Sequence, residues 1–182
     1  MSTQEYSKVI LNSDQIQKRV KELGRQISDA YDGKTLHVVC VLENAFMFMA
    51  DLVRTLDVPV VCHFIKAYTR ETIDGTGTPT TEIFFKPEIS VKGQHVLLVE
   101  GLVQSGVTSE FLMRNLTARG AVSVKMVAFL DKQAARRVQL QPDFFGFMIH
   151  EPYVIGYGMG APDEGRNLPF VASKQGQAAA GQ

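Results

Sequence analysis

Ile16, Val20, Leu23, Ile27 and Ala30 follow one another at spacings of four, three, four and three residues, the period that returns side chains to one face of an α-helix. Ser13 precedes the stripe as a capping hydroxyl and Asp32-Gly33 ends it, so the pattern predicts an amphipathic helix packed on a sheet. Residues 36–42 (LHVVCVL) are instead short, β-branched and almost continuously apolar, as in a strand covered on both faces of a parallel sheet. The same reading predicts a helix over residues 44–56, strands at 58–65, 95–99 and 122–130, and a helix over 109–119 stopped by Gly120. Short strands or connectors are expected at 144–149 and 154–157. Residues 68–81, rich in Thr and Gly and without periodicity, predict a mobile loop or a hairpin of the kind that closes over ligands. Strands alternating with helices predict an α/β fold on an open, mostly parallel twisted sheet, with ligands beyond the carboxyl ends of the strands.

Length and composition narrow the class. A chain of 182 residues, 45% hydrophobic, buries one substantial core; a single domain over residues 1–172 is expected, followed by a disordered tail of small and polar residues from Ser173 to Gln182. Its 19 basic and 19 acidic residues cancel, which argues against nucleic acid or an anionic membrane as partner and makes any anion site a local feature. Cys40 and Cys62 each lie in an apolar run and read as two buried thiols in a reducing compartment. With no leader-like start and no run long enough to span a membrane, a cytoplasmic protein is expected.

Candidate chemistry concentrates at residues 104–108. Gln104, Ser105, Gly106, Val107 and Thr108 follow a buried strand and open a helix, so backbone N–H groups and the helix dipole converge where an anion can sit. Ser105 and Thr108 add hydroxyls, and Gly106 lets the main chain approach closely; simple capping of the helix explains the same residues. Phe46, Met47, Phe48 and Met49 read as core, with part available to a subunit interface. His37, His63, His95 and His150 stand apart from one another without partners at metal-ligand spacing, and none is assigned a metal. Lys132, Arg136 and Arg137 read as a solvated basic turn, Asp131-Lys132 as a surface turn or a ligand-orienting pair, and His150-Glu151 as a solvated pair or a base contact.

Four stretches in order, VLENAFMFMADLVR from Val41, VLLVEGLVQSGVTSEFL from Val96, FLDKQAARRVQLQPDFFGFMI from Phe129 and YVIGYGMGAPDEGRNLP from Tyr153, resemble the hypoxanthine-guanine phosphoribosyltransferases from about Val39 to Val171. The resemblance implies the type I phosphoribosyltransferase fold with a small hood or flap, purine salvage, and a homodimer or homotetramer. It also implies transfer of ribose 5-phosphate from phosphoribosyl diphosphate to a purine, with magnesium. Carried over residue by residue, it gives Glu100, Gln104, Ser105, Gly106, Val107 and Thr108 to phosphate and ribose. Glu43, Asn44 and Arg166 fall on the diphosphate side, and Gln141, Tyr153 and Val154 around the purine.

The chain departs from that pattern where acid and charge matter. Gln104 stands in place of the catalytic aspartate, and an amide does not accept a proton at neutral pH. Gly101 and Gly160 replace acidic residues, Glu43 replaces a lysine, Asn44-Ala45 replaces a glycine pair, and Gln141 replaces a lysine expected to read the purine 6-oxo group. A nucleotide-binding relative with impaired catalysis is therefore expected. The alternatives are an active enzyme using displaced acids (Glu43, Asp163 or Glu164), with magnesium, or a partner-binding protein without a ligand. The variant Gly101→Asp with Gln104→Asp is expected to separate the first two.

Overall fold

The computed structural model describes residues 6–73, 79–85, 89–163 and 165–174. Nine strands and three α-helices occur among them, in the order β1 (Lys8–Leu11), α1 (Ser13–Ala30), β2 (Leu36–Leu42), α2 (Phe46–Val53), β3 (Val60–Ile73), β4 (Pro79–Phe85), β5 (His95–Val103), α3 (Val107–Ala118), β6 (Ser123–Asp131), β7 (Phe144–Met148), β8 (Val154–Ile155) and β9 (Val171–Ser173).

The larger sheet has the order β4-β3-β2-β5-β6-β7; β3, β2, β5, β6 and β7 are mutually parallel, and β4 pairs antiparallel with β3. This is the expected α/β architecture of a parallel sheet with flanking helices. From β2 the chain steps outward to β3, then returns to place β5 on the other side of β2. The order thus reverses at the β2/β5 pair, and the crevice beyond their carboxyl ends is where such sheets take ligands. A second sheet, β1-β9-β8, is small and antiparallel and answers to the expected hood.

The helical stripe buries Ile16, Val20, Leu23 and Ile27 in a core with Val38 and Cys40 of β2 and Leu97 and Val99 of β5. On the other sheet face, Val39, Val41, Val96 and Leu98 pack with Leu112 and Leu116 of α3. Alternate residues of β2 and β5 thus enter opposite cores, which is why both strands read as unbroken apolar runs.

Several expectations shift. Asn12, not Ser13, caps α1, in a reciprocal capping box with Gln15 at 2.9 Å in each direction. Helix α2 begins two residues later than expected, because residues 43–45 are used in the turn. Residues 68–81 belong to the β3-β4 hairpin as far as they are described, while 74–78 lie outside the described residues. Ser173, expected to open the tail, instead pairs in β9 with Lys8 and Val154; residues 175–182 lie outside the described residues. Cys40 is buried, with its thiol pushed up to about 12 by that burial, but Cys62 is exposed, and both are free. Cys62 shares its face of β3 with Phe64 and Tyr68, 57% and 58% exposed. Among the described residues no helix is long and apolar enough to cross a membrane.

Candidate functional site at the carboxyl ends of β2 and β5

Beyond β2, the chain turns at Glu43, Asn44 and Ala45 into α2. The Glu43 carboxylate is gripped on both oxygens: Lys66 Nζ donates to Oε1 at 2.6 Å and Arg166 Nη1 to Oε2 at 2.6 Å. Arg166 is itself aimed by Nε, which donates to the Gly160 carbonyl at 2.9 Å. The Lys66 hydrogen bond and then the Arg166 one pull the Glu43 carboxyl down to about 2, and the Glu43 partner holds Lys66 above its ordinary value. Glu43 is 41% exposed, so this clasp sits at the mouth of the crevice.

The Asn44 carbonyl is seated against two glycines. A Cβ on Gly101 would lie 2.7 Å from the Asn44 carbonyl carbon and closer still to its oxygen, and one on Gly158 would lie 3.2 Å from that oxygen. Gly101 belongs to β5, so the turn after β2 presses directly on the neighbouring strand.

Beyond β5, residues 104–108 form the expected loop into α3. Gly106 is the N-cap at φ 79, a left-handed conformation suited to glycine, and it offers no side chain to the first-turn N–H groups. Gln104 is exposed, and Ser105, Val107 and Thr108 are half-buried. Beneath the loop Glu100 is buried, with Ser109 Oγ donating to Oε1 at 2.8 Å. Burial pushes its carboxyl up to about 7 although the Ser109 bond opposes the rise.

Arg136 is not a solvated turn residue. Its guanidinium pairs with buried Asp131, their side chains 10% and 8% exposed, and Nη1 donates to the Gln104 carbonyl at 3.0 Å. Its Cδ would be 2.9 Å from a Cβ on Gly106, and the Arg137 N–H donates to the Ser105 carbonyl at 2.9 Å. The basic segment after β6 therefore braces the loop. Nothing but its charge pattern pointed to this in the sequence, since the contact is made across more than thirty residues.

Lys132, at the carboxyl end of β6, donates to the Pro152 carbonyl at 3.2 Å, beside Tyr153 and buried Val154. The Tyr153 hydroxyl accepts the Ala161 N–H at 3.1 Å. Gln141 is exposed and precedes β7 at its amino end, opposite the carboxyl ends where Glu43, Gln104 and Lys132 gather. His37 and His63 meet across β2 and β3, Nδ1 to Nε2 at 3.0 Å with stacked rings; this pairing was invisible in a sequence that separates them by 26 residues. They lie near the amino ends of their strands, away from the crevice. Asp163 is exposed, and Glu164 lies outside the described residues.

Magnesium requires hard oxygen ligands. Among the described residues no three His, Cys, Asp or Glu side chains form a metal-binding group; Glu43 is committed to two cations, and Glu100 has one oxygen engaged by Ser109.

The phosphoribosyl transferase domain model matches residues 7–162. The hypoxanthine-guanine phosphoribosyltransferase of Bacillus subtilis is 32% identical over 173 residues, 94% of each chain. The bifunctional protein TilS/HprT of Listeria monocytogenes is 35% identical over 167 residues, 90% of this chain, which spans only 25% of that longer protein. Among solved structures, a hypoxanthine-guanine phosphoribosyltransferase from Bacillus anthracis superposes with a TM-score of 0.83 at 31% identity, covering 93% of this chain and 99% of the other. A ternary substrates complex of a Trypanosoma cruzi hypoxanthine phosphoribosyltransferase mutant gives 0.84 at 31% identity, covering 93% and 96%. The matched region contains the β2/β5 crevice, the loop and Glu43 of the clasp, and the chain belongs to the phosphoribosyltransferase family, within its hypoxanthine-guanine group.

Proposed function

We propose that the protein is a purine-salvage phosphoribosyltransferase homologue that holds a purine nucleotide or ribose phosphate in the β2/β5 crevice and turns it over poorly. Residues 104–108 receive the phosphate on main-chain N–H groups and the Ser105 and Thr108 hydroxyls. Tyr153 and Val154 flank the base, and Lys132, rather than Gln141, is the cation placed to donate to a purine oxo group. The observation that carries poor turnover is the side chain exposed at the start of the loop: Gln104 is an amide, while the carboxyl nearest it along β5, Glu100, is buried on Ser109. Loss of a general acid or base alone costs about 10²–10⁴ in rate, and such losses within one site do not multiply freely.

The test is a titration of the purified protein with GMP, IMP and phosphoribosyl diphosphate, with and without magnesium, followed by melting temperature and by purine transfer in the same samples. A ligand that binds only the native state raises the melting temperature. Stabilisation by a nucleotide without appreciable transfer supports the reading; transfer at rates ordinary for enzymes, about 1–10³ s⁻¹, overturns it.

A second reading is an active enzyme that makes IMP or GMP with magnesium. It is favoured by relatives named hypoxanthine-guanine phosphoribosyltransferase that match along nearly their whole length. Its acids would be Asp163, Glu164 or a Glu43 released from its two cations. Assembly as a homodimer or homotetramer belongs to either reading, and light scattering decides it.

A further inference from the structure

The geometry points to Glu43 as a built-in anion that fills the cationic subsite made by Lys66 and Arg166 and so closes it to diphosphate. The subsite is recognisable without any ligand. Two cations from distant segments, β3 and the stretch before β9, converge at the mouth of the crevice, and Arg166 is pre-aimed by the Gly160 carbonyl. Such a convergence is what a polyanion needs. Here both cations are spent on one carboxylate, each at 2.6 Å, which leaves the trio a single net positive charge.

The plug is also held in place from behind. Glu43 opens a turn whose next carbonyl, that of Asn44, is wedged between Gly101 and Gly158, so the backbone has little room to carry the carboxylate away. Both carboxylate oxygens are engaged, so freeing Glu43 means breaking two charge-assisted hydrogen bonds at once. A second anion at Lys66 and Arg166 must either displace Glu43 or lie against it, and like charges at such separation repel. The loop at residues 104–108 is a separate anion site on the next strand and is left open. The crevice therefore admits a ligand with one phosphate, of the nucleoside monophosphate class, and rejects one whose second phosphate cluster must occupy the clasp. This ligand class rests on the reading that the loop binds phosphate, whereas the closure of the clasp does not.

The experiment compares the full-length protein with Glu43→Gln and Glu43→Ala, titrating each by calorimetry with inorganic diphosphate and, separately, with GMP, after confirming that each variant melts cooperatively. The expected result is that either folded variant binds diphosphate at least tenfold more tightly than the parent, with a steeper salt dependence, while GMP affinity changes less than threefold. No gain in diphosphate affinity in a folded variant overturns the closure, whether the parent binds diphosphate or not. If GMP binds none of the three proteins, the phosphate reading of the loop and the single-phosphate ligand class fall. The diphosphate comparison alone then decides the role of Glu43. Two substitutions of different size guard against one of them failing to fold.

Discussion

Gly101 and Asn44 are in backbone contact: a Cβ on Gly101 would stand 2.7 Å from the Asn44 carbonyl carbon and closer to its oxygen. Any side chain at position 101 must therefore push the turn after β2 off its neighbouring strand. Gly101→Ala is expected to destabilise by about 1–3 kcal/mol, measured by urea unfolding, and to loosen the Glu43 clasp. The restoring pair Gly101→Asp with Gln104→Asp is consequently a poor test of catalysis, because its first half disturbs the turn before it supplies an acid.

Gln104→Asp alone is the clean substitution. Gln104 is exposed, and the loop is held through its main-chain carbonyl by Arg136, so a carboxylate can replace the amide without disturbing the brace. Purine transfer is expected to rise at least about tenfold, toward the range a positioned acid or base provides. An unchanged transfer rate in a variant that still binds GMP would show that the missing proton acceptor is not what limits turnover.

Glu100 makes stability depend on pH. Burial raises its folded-state value from 4.5 to about 7, so the folded protein keeps a proton that the unfolded chain releases. That contribution is fully present below pH 4.5 and is lost as pH rises through about 7, an effect of up to ~3 kcal/mol. Glu100→Gln, which stays neutral, is expected to flatten this dependence and to gain on the parent between pH 5 and pH 8, read from unfolding free energies at the two pH values.

Arg136 carries a heavier structural role than its place in a basic turn suggests. Arg136→Ala leaves Asp131 buried without its cation, and breaking such a pair costs about 3–5 kcal/mol. The same variant frees the Gln104 carbonyl and uncovers Gly106. Nucleotide affinity is expected to drop at least tenfold in samples still folded at low temperature, measured by calorimetry. Asp131→Asn, which keeps a hydrogen-bond acceptor for Arg136, is expected to retain most of the binding.

Period and apolar runs made the long elements legible. The α1 stripe from Ile16 to Ile27 and the run at Leu36–Leu42 are where they were expected, because each carries its own burial pattern. Strands β1 and β9 carry none: Lys8–Leu11 and Val171–Ser173 are too short to show a period and exist only because they meet each other across the length of the chain. The loop at residues 104–108 was legible for a local reason, a buried strand running straight into a helix. The brace over it was not, since charge in Arg136 looks the same whether it faces water or a buried aspartate. Gln141 and Lys132 show a further limit. Order along a sequence does not reveal which end of a sheet a residue occupies, and the fold sends Gln141 to the amino end of β7 while Lys132 stays at the crevice. His37 and His63 needed the parallel β2/β3 register to become neighbours at all.

The uncovered face of β3 gives the molecule a ready-made observation post. Of the two cysteines in the chain, Cys40 is sealed in the core and Cys62 faces outward, on the same side of the strand as Lys66 of the clasp. A fluorophore coupled to the native protein goes to Cys62 without any engineered thiol. Four residues along an extended strand place it roughly 13 Å from Lys66, near enough for its emission to follow the Glu43 clasp in real time as ligands are mixed in.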